Sequence, residues 1–138
     1  MQENVLLRVQ NVSKSYPGTR VLTDTNLVVH KGEILGLSGL VGAGRSELIS
    51  AIFGALPRQA GKLYLEGKEV TINSPIEAIQ HGLGFLSEDR KKNGFIWTMS
   101  IRENMTLVCL RELVKGLFVD KREENRRAQE YFEKLSVK

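Results

Sequence analysis

The chain has 138 residues, which fits one domain, and its 41% hydrophobic and 26% charged residues are the balance of a soluble globular chain. No apolar run approaches the ~20 residues of a membrane-spanning helix, and the start (Met1, Gln2, Glu3, Asn4) has no basic cluster leading into an apolar stretch, so any membrane role is expected to be peripheral, through a partner. The formal charge of +4 is too small to assign a nucleic-acid partner, and a single cysteine, Cys109, excludes an internal disulfide or a multi-cysteine metal site. Cys109 reads as a buried apolar position in a helix, and His30 and His81 as surface or element-end residues.

In chain order, Val5 to Val12 alternates as a strand, and Ser15-Tyr16-Pro17-Gly18 forms a turn because Pro and Gly preset its dihedral angles. Val21 to His30 is a second β segment, and Lys31-Gly32-Glu33 turns the chain into Ile34 to Ser38, a short apolar strand of the kind buried inside a parallel sheet. A glycine-rich loop, Gly39 to Gly44, precedes an amphipathic helix from about Ser46 to Phe53, which Gly54 stops. Leu63 to Gly67 and Glu69 to Ile72 make a hairpin around Gly67-Lys68. Three later helices are announced by capping boxes: Ser74 with Pro75 and Glu77, Ser100 with Glu103, and Asp120 with Glu123. Leu83 to Ser87 is a strand running into the charged loop Glu88 to Gly94. The last helix, about Lys121 to Leu135, carries Ala128, Phe132 and Leu135 on one stripe.

The chemistry concentrates in Gly39-Leu40-Val41-Gly42-Ala43-Gly44-Arg45-Ser46. It follows the phosphate-binding pattern G-x-x-x-x-G-K-[ST] at every fixed position but one, where Arg45 replaces lysine. Glycines such as Gly39, Gly42 and Gly44 admit positive φ and let backbone amides come close to phosphate. With Ala43 between them and a helix N-terminus behind, they form an anion-binding concavity. A cation at position 45 neutralises the terminal phosphates, and the Ser46 hydroxyl is placed to ligate Mg²⁺. Arginine is a planar fork rather than a compact point charge, so its pose on phosphate differs from that of lysine. Glu47 suits the helix dipole yet faces the place of an α-phosphate. Both departures imply weaker nucleotide binding than the consensus, or slower turnover.

From Leu7 to Leu65 the sequence resembles the start of an ABC-type ATPase domain, carried by Asn11-Val12-Ser13-Lys14-Ser15-Tyr16, Lys31-Gly32-Glu33-Ile34, the phosphate loop, and Ala60 to Gly67. Ser38 to Leu48 together with Leu86-Ser87-Glu88-Asp89-Arg90-Lys91 resembles the second ATPase domain of tandem importers for ribose, galactose or xylose, and the likeness covers nearly the whole chain. The resemblance implies an α/β fold: a partial P-loop NTPase core with an antiparallel β subdomain and the start of a helical subdomain. Residues 1–138 are then the first half of a nucleotide-binding domain, with the phosphate loop at 39–46, the Q-loop-equivalent region at 86–94 and the helical subdomain beginning near 95. It implies ATP and Mg²⁺ as ligands, adenine stacking by Tyr16, and Glu88 at the place of the family's glutamine, which contacts Mg²⁺ and the attacking water.

It further implies a membrane permease and a second nucleotide-binding domain as partners, and a location on the cytoplasmic face of the cell membrane. Phe95, Ile96, Trp97 and Met99 form an apolar cluster that is either a partner surface or local core. The family's signature loop (L-S-G-G-Q type), Mg²⁺-binding aspartate, catalytic glutamate and switch histidine all lie further along than Ser136-Val137-Lys138. The chain alone is therefore expected to be inactive and, with strand edges unpaired, to self-associate. Two other classes stay open at this point. One is a docking module with a degenerate nucleotide site, favoured by Arg45, Glu47 and Glu88. The other is a different P-loop enzyme, against which stands the lack of a guanine-reading N-K-x-D run.

Overall fold

A computed structural model describes residues 4–137; Met1, Gln2 and Glu3, read above as a start without a leader, and Lys138 lie outside the described residues, as does the side chain of Arg90. Two compact units meet in sequence between Phe85 and Leu86.

The first unit is built on a four-stranded antiparallel sheet in the order β2-β1-β3-β4, from β1 (Val5–Tyr16), β2 (Thr19–His30), β3 (Ala60–Leu65) and β4 (Lys68–Val70). Both long strands outrun their sequence limits, so the expected turn at Ser15-Tyr16 shrinks to Pro17-Gly18. The reason is lateral support. Ser13 exchanges hydrogen bonds with Asp24, and the Gln59 carboxamide pairs with the backbone of Ser15, accepting from its N–H at 2.7 Å and donating to its carbonyl at 3.3 Å. Mid-strand, Asn11 and Asp24 take positive φ, a conformation their short polar side chains tolerate, and the Asn11 and Asn26 side chains bridge the resulting bulge.

One face of the sheet packs on α1 (Arg45–Ile52) and α2 (Pro75–Gln80) through Val9, Val12, Leu22, Leu63, Leu48, Ala51, Ile52, Ile72 and Ala78, all buried. Each large aliphatic side chain withdrawn in this way contributes about 1.5–3 kcal/mol. Gly54, at φ 71°, stops the chain after α1 as the sequence suggests. Two expected strands are absent: among the described residues, Ile34 to Ser38 and Leu83 to Ser87 join no ladder. Their apolar content is that of buried strands, but a strand exists only by pairing. Leu35, Leu37, Ile49, Phe53, Leu83 and Phe85 instead line an apolar cleft of about 270 Å³.

The second unit holds α3 (Arg90–Asn93), α4 (Ile101–Thr106), a 3₁₀ turn (Leu107–Cys109), α5 (Leu110–Leu113), the hairpin β5 (Val114–Lys115) and β6 (Phe118–Val119), and α6 (Lys121–Lys134). The capping boxes resolve unequally. At Ser100 both halves form. At Ser74 the hydroxyl accepts from the Glu77 amide, but the Glu77 carboxylate reaches one residue further back, to the Asn73 amide. Asp120 accepts from the Arg122 and Glu123 amides, while the Glu123 carboxylate turns along the helix to Arg126 and Arg127.

On α6, Ala128 is buried and Phe132 half-buried, but Leu135 falls just past the helix and is 68% exposed. Glu124, unforeseen in the sequence, is buried at 2% exposure between Lys121 at 3.0 Å, the Thr106 hydroxyl at 3.5 Å and Arg102 at 3.5 Å. Cys109 is half-buried in the 3₁₀ turn and donates to the Thr106 carbonyl.

The Arg126 guanidinium first, with Arg127 beside it, holds the Glu123 carboxyl down at about 2. A depressed carboxylate stabilises the fold above its unfolded value of ~4.3 and loses that contribution as pH falls through its folded one. At low salt, unfolding followed by helical circular dichroism is therefore expected to find Arg126→Gln the less stable protein above about pH 4.3, by a margin that shrinks as pH falls from there toward about 2. Superimposable acid curves for the two proteins would show that the pair adds nothing.

Candidate functional site

The phosphate-loop sequence lies between the apolar segment 34–38 and α1. Gly42 and Gly44 have φ of 84° and 82°, in the left-handed region where a side chain is strained. Gly44 is also buried against β2: a Cβ there would stand 2.9 Å from the Val21 carbonyl oxygen and 3.0 Å from a Leu22 methyl. The loop's base is therefore set onto the sheet at a point only glycine allows. Gly44 is the N-cap of α1 and makes no side-chain cap bond, so the helix opens directly onto the loop, with the amide donors and positive dipole end that suit an anion.

Within the loop the Ala43 amide donates to the Leu40 carbonyl at 3.0 Å, a bond that an anion seated there would have to replace. The stem of Arg45 runs back over Gly39, its Cδ 3.8 Å from the place of a Cβ on that glycine. Arg45 is exposed and, among the described residues, has no ion pair. Ser46 is exposed beside it, and Glu47 is half-buried in the first turn of the helix.

Tyr16 closes β1, paired with Thr19 across the turn, and is 42% exposed. The hairpin that carries it is the same one whose Val21 and Leu22 receive Gly44, so Tyr16 and the phosphate loop are built on one support. Glu88 belongs to the second unit and is exposed. The charged loop around it contains one helical turn, α3, because Asp89 accepts from the Lys92 amide through its side chain and from the Asn93 amide through its carbonyl.

Phe95, Ile96, Trp97 and Met99 are all surface residues, 38–69% exposed. The Phe95 and Trp97 rings meet at 4.4 Å, and Asn104 fixes their loop by bonding the Ile96 amide and the Ile96, Met99 and Ser100 carbonyls. The sequence gives no sign of that clamp, where Asn104 is one polar residue on a short helix, nor of the contact of Lys14 with the Tyr16 ring or the bonds of Gln59 to the Ser15 backbone.

Among the described residues no group of three or more His, Cys, Asp or Glu side chains could hold a metal ion. A divalent cation here would take its ligands from a serine hydroxyl and phosphate oxygens, as Mg²⁺ commonly does. Among the same residues, no helix is long and apolar enough to cross a membrane.

The ABC transporter family matches residues 22–138. The xylose import ATP-binding protein XylG of Ralstonia nicotianae is 40% identical over 139 residues, covering 98% of this chain and 27% of its own length. The ribose import ATP-binding protein RbsA of Geobacillus kaustophilus is 38% identical over 132 residues, covering 96% and 26%. The chain thus spans about a quarter of the length of the curated relatives it matches. Among solved structures, a nucleotide-free ATP-binding cassette from an ABC transporter aligns with a TM-score of 0.63 at 28% identity, over 77% of this chain and 41% of that one. The ATP-binding cassette MJ0796 in a dimeric post-hydrolysis state aligns with a TM-score of 0.74 at 21% identity, over 96% and 58%, and shows the shared fold. The motif, the strand-and-helix support beneath it and these matches agree that the chain belongs to the ABC transporter family, with the partial P-loop NTPase core of its ATP-binding cassettes.

Proposed function

We propose that the chain is the first half of a nucleotide-binding domain, the second of a tandem pair, in the ATPase subunit that drives monosaccharide import of the ribose type. The observation that carries this is the Gly39 to Ser46 loop, seated through Gly44 on the sheet and opening onto α1. In this reading the loop amides and Arg45 hold the phosphates of ATP, Ser46 and Glu88 supply oxygen ligands to Mg²⁺, and Tyr16 stacks on adenine. Bound Mg²⁺ supplies charge neutralisation between the phosphate oxygens. Residues 86–94 take the role of the Q-loop and the helical subdomain starts near 95.

The exposed Phe95, Ile96, Trp97 and Met99 surface, held by Asn104, suits a permease partner, and in this reading the domain lies on the cytoplasmic face of the membrane. The test is equilibrium dialysis of Mg·ATP against the purified chain. Saturable binding is expected, weakened at least tenfold in Arg45→Glu because charge beside phosphate changes sign. Equal affinity in the two proteins would overturn the reading.

Self-association follows from the surface. Ile34 (99% exposed), Leu40 (86%) and Val41 stand in the open, beside segments that join no ladder and an apolar cleft. Light scattering on the purified chain is expected to give a mass that rises with concentration; a constant monomer mass at high concentration would count against it.

A further inference from the structure

Tyr16 ends an exposed strand, yet its ring has a fixed neighbour. Lys14, two residues earlier, is only 8% exposed, and its Nζ stands 5.3 Å from the centre of the Tyr16 ring. Its aliphatic stem is packed away while its charged end lies at the ring. Among the described residues no carboxylate comes within ion-pair distance of Lys14, and its ammonium lies over the electron-rich face of the Tyr16 ring. The backbone on which both side chains ride is held separately, by the two hydrogen bonds of Gln59 to Ser15. Lys14 is in register with Leu22, whose side chain borders Gly44 at the base of the phosphate loop.

We infer that Lys14 is the positioning residue of the adenine platform: it covers one face of Tyr16, fixes the ring's rotamer, and leaves the other face for a purine. This rests on the reading of Tyr16 as the stacking residue. The ammonium also draws the ring's electron density toward itself, which makes the opposite face a better acceptor for an electron-rich base. The predicted role is confined to base binding. Lys14 directs its charge at the ring and takes no part in holding phosphate.

The experiment measures the affinity of the purified chain for Mg·ATP and for Mg-tripolyphosphate, which has the phosphates and no base. Lys14→Met keeps the length and removes the charge; it is expected to weaken ATP about three- to tenfold and leave tripolyphosphate unchanged. Lys14→Arg is expected to keep the ATP preference, and Lys14→Met added to Tyr16→Ala to do nothing more than Tyr16→Ala alone.

If Tyr16→Ala weakens ATP selectively but Lys14→Met does not, the inference fails and the platform stands. If Lys14→Met weakens both ligands equally, Lys14 serves the fold and the inference fails. If Tyr16→Ala leaves the ratio of the two affinities unchanged, or the unaltered chain binds no ATP, the platform reading fails and takes the inference with it.

Discussion

Incubated with Mg·ATP, the purified 138-residue chain is expected to release no phosphate above background. Phosphoryl transfer is catalysed almost wholly by positioning and by stabilising charge. In our reading this chain brings to the nucleotide its loop amides, Arg45, Ser46 and Glu88. Its sequence contains no L-S-G-G-Q run to close over the terminal phosphate of an opposing domain, and we assign no residue to polarise the attacking water. Each electrostatic partner of this kind typically contributes about 2.7–4 kcal/mol, or about 10² to 10³ in rate. Losing two should take activity below detection, although such losses do not simply add. Arg45→Lys is expected to remain inactive, since it adjusts the phosphate cradle and supplies neither missing part. Steady phosphate release that disappears in Ser46→Ala would show a complete site and refute this.

The largest effect on stability is expected at Gly61. Its φ is 99°, and a Cβ there would lie 2.5 Å from Val12 Cα and 2.7 Å from both the Asn11 carbonyl oxygen and the Val12 nitrogen. Every one of these is a backbone atom, so no side chain can swing aside. Left-handed strain of about 1–2 kcal/mol joins overpacking of about 1–3 kcal/mol, and Gly61→Ala should lose about 3 kcal/mol or more. Gly67 is the natural control, at φ 80° in the turn between β3 and β4 with nothing within 4 Å of its virtual Cβ. Gly67→Ala should lose only the strain, about 1 kcal/mol. Urea unfolding of both variants separates the two causes. Equal losses would mean that β3 does not approach the β1 bulge as closely as described.

Local signals were read well where chemistry and geometry are both local. Gly42, Gly44 and Gly54 were legible as positive-φ positions, and Ser100-x-x-Glu103 as a cap, because each depends on a few neighbouring residues. Ile34 to Ser38 shows the opposite case. Its composition is that of a buried strand, but pairing is a property of two segments, and no described strand takes it up. The capping glutamates fall between these cases. Glu103 bonds back as the pattern requires, whereas Glu123 has two arginines within one turn of helix and turns to them. Glu124 is one more surface-type residue in a run of charges until tertiary packing buries it. Lys14 and Tyr16 share the motif of the first strand, but nothing in the sequence marks their contact. A lysine at i and an aromatic at i+2 of a strand is a weak signal on its own, and it gains meaning only once Lys14 is found buried.

Amide-resolved NMR of the chain during titration with Mg·ATP tests the central claim most directly. The account predicts that the largest shifts fall on the amides of Gly39 to Ser46, with the Ala43 amide losing its Leu40 acceptor, and that the Tyr16 ring resonances move with them while Gly116, in the β5–β6 hairpin, stays still. Shifts spread over the surface without focus on that loop, or saturable binding that leaves Gly42, Ala43 and Gly44 unmoved, would contradict it.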